Sequence, residues 1–227
     1  MSGGAGSPQV LAVLDDATTG RAVLELSSTL AQAVQRDLSV VYVESAQSLV
    51  AAALPFAQVL SHATTQWVPL LPQDVEQGYR AQATRLRELT ARITVRHAVS
   101  WSLRVMRGSL PGAAIELLAE SDLLLMAATP PTPPLAMHAA RDTRRRPVVA
   151  VVGNGSAASE RALGVAAQLA RALGGSLQTA RVDASAKLMH QASTVAALLR
   201  PDVLVLPGAP LAASALATMR CPVLLVG

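Results

Sequence analysis

Short runs of valine and leucine alternate along this chain with longer stretches whose apolar residues keep helical spacing. The clearest runs are QVLAVL at 9–14, LSVVYV at 38–43, DLLLM at 122–126 and PVVAVV at 147–152. Apolar runs without polar alternation are typical of strands that are buried on both faces of a parallel sheet. Parallel strands also need crossover connections, which are usually helices. The pattern therefore predicts an α/β fold with a doubly wound parallel sheet.

The same patterns predict the remaining strands and helices. Further strands are predicted at 99–106, 177–182, 202–206 and 222–226. Helices are predicted at about 18–35, 46–64, 73–93, 111–120, 135–143, 156–173, 188–199 and 211–219. The prolines at 130, 131, 133 and 134 are incompatible with regular structure.

An internal repeat relates the two parts of the sequence. Residues 18–45 align with 158–184, and residues 113–130 align with 193–210. The second copy is shorter because it lacks counterparts of segment 46–96 and of the third strand. We therefore predict a complete first lobe at 1–146, with a helical insertion at about 46–96, and a truncated second lobe at 147–227.

One predicted strand resembles two different places in the repeat. Residues 144–153 (RRRPVVAVVG) resemble the last strand of the chain at 219–227, and they equally resemble the first strand at 8–16. Two complete lobes would need both a closing and an opening strand at this point, and the sequence offers one. The prediction is that the lobes are fused around strand 147–152.

Composition limits the classes of partner. The net charge is only +4, and the chain has two Trp, two Tyr and one Phe, too few aromatic rings to favour nucleic-acid binding. No apolar run reaches the length of a membrane span, and no secretory leader is expected. A single cysteine, Cys221, is expected to be a small buried residue in a reducing compartment. The expectation is a cytoplasmic protein without a membrane or nucleic-acid partner.

Six short motifs carry a resemblance to a known family. They are Val13-Leu14-Asp15, Val105-Met106-Arg107-Gly108, Ile115 to Ala119, Asp122-Leu123-Leu124-Leu125-Met126, Ser159-Glu160-Arg161-Ala162-Leu163, and Cys221-Pro222-Val223-Leu224-Leu225-Val226. In these motifs the chain resembles the universal stress protein family. The resemblance implies a five-stranded parallel sheet in the order 3-2-1-4-5 for one lobe. It also implies a non-enzymatic regulatory or binding protein that forms homodimers.

The resemblance further implies an adenine-nucleotide site, for ATP or AMP, at the strand ends of the first lobe. The residues predicted near this site are Asp15, Val43, Arg107, Gly108 and Thr129, of which Thr129 is included because it lies just past the fourth strand. Nucleotide-binding members carry a G-x-x-G-x9-G-[ST] loop after the fourth strand, whose backbone N–H groups bind phosphate. This chain instead has Ala127-Ala128-Thr129-Pro130-Pro131 at that position, so the glycine phosphate loop is missing.

Three alternatives stay open. Without a nucleotide, the chain would be a protein-interaction scaffold, with a partner bound through segment 46–96. Four of the five aromatic residues lie between 56 and 101, within this segment or just after it. Gly153-Asn154-Gly155-Ser156, followed by Asp183, resembles a dinucleotide fingerprint and would suit a dinucleotide-dependent enzyme. Asp15 itself could simply cap the next helix. The four histidines are dispersed, and no metal site is predicted.

Overall fold

In a computed structural model of the chain, the described residues are 9–61, 65–127, 146–182, 188–208 and 213–227. The first part contains β1 (Gln9–Leu14), α1 (Ala17–Val34), β2 (Asp37–Ser45), α2 (Ala46–Ala52), β3 (Gln58–Leu60), β4 (Trp67–Pro69), α3 (Pro72–His97), β5 (Trp101–Gly108), α4 (Leu110–Leu118) and β6 (Leu123–Met126). The second contains β7 (Val148–Gly153), α5 (Ala157–Ala172), β8 (Ser176–Arg181), α6 (Leu188–Leu199), β9 (Val203–Pro207), α7 (Ala213–Leu216) and β10 (Val223–Val226). The helix predicted at 135–143 and the proline cluster lie outside the described residues.

Eight of these strands form one sheet, in the order β5-β2-β1-β6-β10-β9-β7-β8. Every neighbouring pair is parallel except β6 and β10, which are antiparallel. Helix α1 packs against α3 and α5, whereas α4 packs against α7, so helices cover the sheet. The predicted α/β fold with a Rossmann-like, mostly parallel sheet is confirmed.

The seam between the two parts is not where the sequence predicted it. Strand β7, which corresponds to 147–152, lies between β9 and the edge strand β8, and both of its neighbours belong to the second part. The seam is made by β10, which pairs with β9 on one side and with β6 on the other. The first part has no closing strand of its own among the described residues, and β10 occupies that place beside β6. The prediction of a fusion around strand 147–152 was therefore wrong.

Burial follows position in the sheet. All residues of the central strands β6, β9 and β10 are buried, because helices cover both faces. The edge strands β5 and β8 expose about every second residue. Cys221 is buried at the start of the seam strand, as predicted.

The insertion at 46–96 differs from the predicted pair of helices. Helix α2 is capped by the Ser45 side chain, which accepts a hydrogen bond from the Ser48 N–H, and it already ends at Ala52. Pro55 cannot continue a helix, and the chain turns instead into the antiparallel hairpin β3–β4. Helix α3 then runs to His97 and ends at Ala98, whose φ of 51° stops the helical path.

Candidate functional site

The carboxyl ends of β1, β2 and β5 meet at one edge of the sheet, as the resemblance implied. Asp15 directly follows β1. Arg107 and Gly108 end β5, where they pair in register with Glu44 and Ser45 of β2. Thr129 lies outside the described residues. The structure thus brings together three of the five residues predicted for the site, Asp15, Arg107 and Gly108, along one edge.

Val43 has a different environment from its neighbours at this edge. Its side chain is 2% exposed and belongs to the hydrophobic core. It therefore supports the sheet beneath the edge and is not accessible to a ligand.

Arg107 is held by two carboxylates. Its Nε lies 3.1 Å from Glu44 Oε2, and its terminal nitrogen lies 3.9 Å from Glu76 Oε1 on α3. The guanidinium group thus links the end of β5 to α3. Its charge is already compensated before any ligand arrives.

A cleft of about 550 Å³ opens between the ends of β1 and β2 and the side of α3. Its walls are formed by Asp15, Asp16, Tyr42, Ser48, Leu70, Val75, Gly78, Tyr79, Ala81, Gln82 and Arg85. We call this space the strand-end cleft. Helix α3 supplies residues spaced three or four apart, so a single face of that helix forms one wall.

The adjacent carboxylates of Asp15 and Asp16 have different hydrogen-bond partners. Asp16 Oδ1 accepts the Thr19 N–H at 3.1 Å, and its Oδ2 accepts from Gln82 Nε2 at 3.5 Å. The Asp16 carboxylate therefore caps the N-terminus of α1. From the sequence, Asp15 had been the candidate for this capping role. Asp15 is half-buried, and among the described residues its carboxylate is bonded only by its own backbone. Burial, with a smaller contribution from the charge of Asp16, raises the pKa of Asp15 above its ordinary value.

Two tyrosines form the floor of the cleft. The ring of Tyr42 is 1% exposed and meets the ring of Tyr79 edge to face, with centroids 6.4 Å apart. The Tyr79 hydroxyl donates to the Ser45 carbonyl at 2.9 Å. Burial and the nearby Glu44 raise the pKa of Tyr42, which keeps its hydroxyl neutral at physiological pH.

Gln82 leaves an unpaired acceptor beside the cleft. Its Nε2 donates to Asp16, while its Oε1 is buried and has no hydrogen-bond partner among the described residues. A buried acceptor without a donor is unfavourable, and its presence calls for an explanation. The sequence did not indicate Gln82, because it lies on α3, which reaches the strand ends only through tertiary packing. Asp16 and Tyr42 lie beside the predicted residues Asp15 and Val43 and were not predicted themselves.

The corresponding edge of the second part carries the glycine-rich turn. Asn154 N donates to Ser159 Oγ at 3.0 Å, and Ser156 N donates to Asn154 Oδ1 at 3.1 Å. Ser159 N donates to Ser156 Oγ at 3.3 Å, and the Ser159 hydroxyl donates to Asn154 Oδ1 at 2.7 Å. These donors are satisfied by the turn itself, so the geometry gives no support to a dinucleotide site. Asp183 lies outside the described residues.

A further cluster lies on the insertion. Eight large apolar side chains there are exposed: Val50, Leu54, Phe56, Val59, Leu60, Trp67, Val68 and Leu71. Phe56 is 76% exposed and Trp67 is 67% exposed, and residues 46–71 include no Asp, Glu, Lys or Arg. We call this group the apolar surface. Contiguous exposed apolar residues of this kind mark interaction sites more often than isolated ones do.

Two other classes of site were searched in the described parts of the chain. No cluster of three or more His, Cys, Asp or Glu side chains suited to a metal ion occurs there. Within the same residues, no helix is both long and apolar enough to cross a membrane.

Comparison with known proteins shows a similarity to solved structures. No protein-family model matches the sequence, and no curated protein matches it. A solved universal stress protein from Archaeoglobus fulgidus DSM 4304 is similar at 10% sequence identity and a TM-score of 0.48, covering 96% of this chain and 97% of that one. A similarity at this level concerns the fold alone and says nothing about what either chain binds.

Proposed function

We propose that this chain is a universal-stress-protein-like regulatory or binding protein of the cytoplasm, without enzymatic activity, that binds an adenine nucleotide such as ATP or AMP. The site is the strand-end cleft of the first lobe. In this proposal the lobes are 1–146 and 147–227, as the repeat indicates. The observation that carries the proposal is the half-buried Asp15 carboxylate, which lines the cleft and has no side-chain partner among the described residues.

The position of Asp15 in the sheet supports a ligand site. The chain runs outward from β1 to β2 and β5, and it then returns to β6 on the other side of β1. Open α/β sheets bind ligands at the carboxyl ends of the strands, where the order reverses in this way. Asp15 follows the strand at that reversal.

The chemistry of the cleft also fits an adenine compound. The Asp15 carboxylate is a partly desolvated acceptor that lines the cleft. The amino group of adenine and the hydroxyls of ribose supply donors for it. The half-buried ring of Tyr79, supported by the buried ring of Tyr42, offers an apolar surface for the base.

The test begins with protein purified without added nucleotide, denatured, and analysed by mass spectrometry for released adenine compounds. Calorimetric titration with ATP and AMP follows, on wild-type protein and on Asp15→Ala. We expect Asp15→Ala to weaken binding by roughly 10- to 100-fold, the range for losing a hydrogen bond to a charged group. Asp37→Ala is the matched control, because Asp37 is an exposed acid at the opposite end of β2. No released compound and no heat with any titrant would reject the proposal.

A second candidate function is a nucleotide-free interaction scaffold, and the apolar surface favours it. In that case the chain forms a homodimer or binds a protein partner through segment 46–96. Sedimentation velocity over a concentration series tests the homodimer, with the double variant Phe56→Ser/Trp67→Ser expected to be monomeric. Val95→Ser is the control, because Val95 is 80% exposed on α3 but lies outside the apolar surface. A monomeric wild-type protein would reject the homodimer.

A further inference from the structure

We propose that the strand-end cleft selects an uncharged adenine nucleoside over its phosphate esters. This inference rests on the proposed function, and it names the ligand class of the same site. It follows from three features of the edge: the occupied helix N-termini, the compensated arginines and the Asp15 carboxylate.

The three described helices that begin at this edge, α1, α2 and α4, each already hold an acceptor at their N-terminus. At α2, the Ser45 hydroxyl accepts the Ser48 N–H at 3.3 Å. At α1, the Asp16 carboxylate accepts the Thr19 N–H, and the Asp16 carbonyl accepts the Gly20 N–H at 3.0 Å. At α4, the Ser109 hydroxyl accepts the Gly112 N–H, and the Ser109 carbonyl accepts the Ala113 N–H at 2.9 Å. A phosphate bound at a helix N-terminus needs such amides and the positive end of the helix dipole. At α1 a negative carboxylate already stands where the phosphate would bind.

The first amide after β6 is also occupied. In nucleotide-binding relatives the phosphate loop follows this strand. Here Ala127 N donates to the Val13 carbonyl at 3.1 Å, as part of the sheet edge. Ala127 is 1% exposed, so its amide is not available to a ligand.

The charges around the cleft disfavour an added anion. Glu76 lies 3.9 Å from Arg107 and 3.8 Å from Arg80, and Glu44 lies 3.1 Å from Arg107. Of the arginines near the cleft, Arg85 is the one without an ion pair to a described residue, and it lines the same cleft as the carboxylates of Asp15 and Asp16. One guanidinium beside two carboxylates does not compensate a triphosphate.

What the cleft does leave open is the Asp15 carboxylate, which has no side-chain hydrogen-bond partner among the described residues. It accepts N–H or O–H donors, which the base and the ribose carry and which ionised phosphates lack. Binding the nucleoside would supply such a donor to Asp15 without bringing a negative charge toward Asp16. The expected order of affinity is therefore adenosine, then AMP, then ATP.

The experiment is calorimetric titration of the full chain with adenosine, AMP and ATP, at two salt concentrations. We expect adenosine to bind at least about tenfold more tightly than ATP, since like charges close together in a partly desolvated site repel strongly. Added salt should strengthen ATP binding, because it screens the repulsion, and should leave adenosine binding unchanged. A phosphate-binding site would show the opposite salt dependence.

The variant Asp16→Asn sharpens the test. Asparagine keeps an acceptor for capping α1 but removes the negative charge. We expect ATP binding to become tighter relative to adenosine binding, so that the preference for adenosine over ATP narrows. Asp37→Asn, with the same charge change at the opposite sheet edge, should leave the preference intact, and circular dichroism confirms that each variant is folded.

The outcomes separate this inference from the proposal on which it rests. If ATP binds as tightly as adenosine or more tightly, the selectivity is overturned while the adenine site stands. If adenosine, AMP and ATP all fail to bind, the adenine site itself is rejected, and the selectivity falls with it. The salt dependence is measured on wild-type protein, so the result does not depend on the folding of a variant.

Discussion

The carboxyl edges of the two parts of the sheet arrange their polar groups in opposite ways. At the edge of the second part, Asn154, Ser156 and Ser159 satisfy one another. At the edge of the first part, the Asp15 carboxylate and the buried Gln82 Oε1 have no side-chain donor among the described residues. A turn that completes its own hydrogen bonds stabilises the fold, whereas an edge with unpaired acceptors is prepared for a ligand. The glycine-rich sequence thus marks the structural turn, and the glycine-poor edge carries the candidate site.

Strand β10 joins the two parts of the sheet. If both parts unfold as one cooperative unit, a substitution in β10 should destabilise them together. Leu224 is fully buried in β10 and pairs with Leu125 on one side and Val205 on the other. We expect Leu224→Ala to lower the free energy of unfolding by about 2–5 kcal/mol, the range for emptying a packed core position. Urea unfolding followed by circular dichroism should show one transition shifted as a whole. Two transitions, with one unchanged, would mean that the parts fold independently.

The sequence predicted most of this fold because strands buried on both faces have a distinct composition. Runs such as QVLAVL and DVLVL can be recognised without knowing their neighbours. The antiparallel pairing of β6 with β10 could not be predicted, since it joins residues about a hundred positions apart and leaves no local signal. The hairpin β3–β4 was missed because Ala-rich sequence on either side of Pro55 favours helix as much as strand.

For the site, the sequence predicted only the residues that strand ends place together. Asp15 was found because it ends a recognisable strand. Gln82 reaches the cleft through the packing of α3 against the sheet, which no motif encodes. The capping role was assigned to the wrong aspartate as an alternative, because Asp15 and Asp16 are equivalent in sequence and differ only in the direction of their side chains.

A moderate effect on the free energy of unfolding is expected at the carboxyl edge of the second part, where the turn residues complete one another's hydrogen bonds. Asn154 Oδ1 accepts from both Ser156 N and the Ser159 hydroxyl. Asn154→Ala removes this acceptor and leaves two donors unpaired, which should lower the free energy of unfolding by about 1–2 kcal/mol. Urea unfolding measures the change, and calorimetry should show adenosine binding unaltered. Weakened adenosine binding would instead place the ligand in the second part.

The smallest effect on stability is expected at the carboxyl edge of the first part. Its sign is opposite, because removing the Asp15 charge should raise the free energy of unfolding. Burial raises the pKa of Asp15 in the folded chain above the ordinary value of 3.8. Between these two pKa values the folded state binds more protons than the unfolded state, so stability falls as the pH rises. The ionised Asp15 therefore costs stability at neutral pH, and that cost vanishes below about pH 3.8.

Asp15→Asn removes the buried charge and keeps the shape of the side chain. We expect the variant to be more stable than wild-type protein at pH 7, with the difference shrinking as the pH falls toward 3.8. Thermal unfolding from pH 7 to pH 3.5 measures the difference, and Asp37→Asn, whose carboxyl is exposed, serves as the control. A variant less stable than wild type at pH 7 would mean that the Asp15 carboxylate is needed by the fold. The two edges would then be alike, because a group that stabilises the fold has its partners already and leaves nothing for a ligand to satisfy. A gain in stability on removing the charge is the signature that an edge prepared for binding should show and a self-satisfied turn should not.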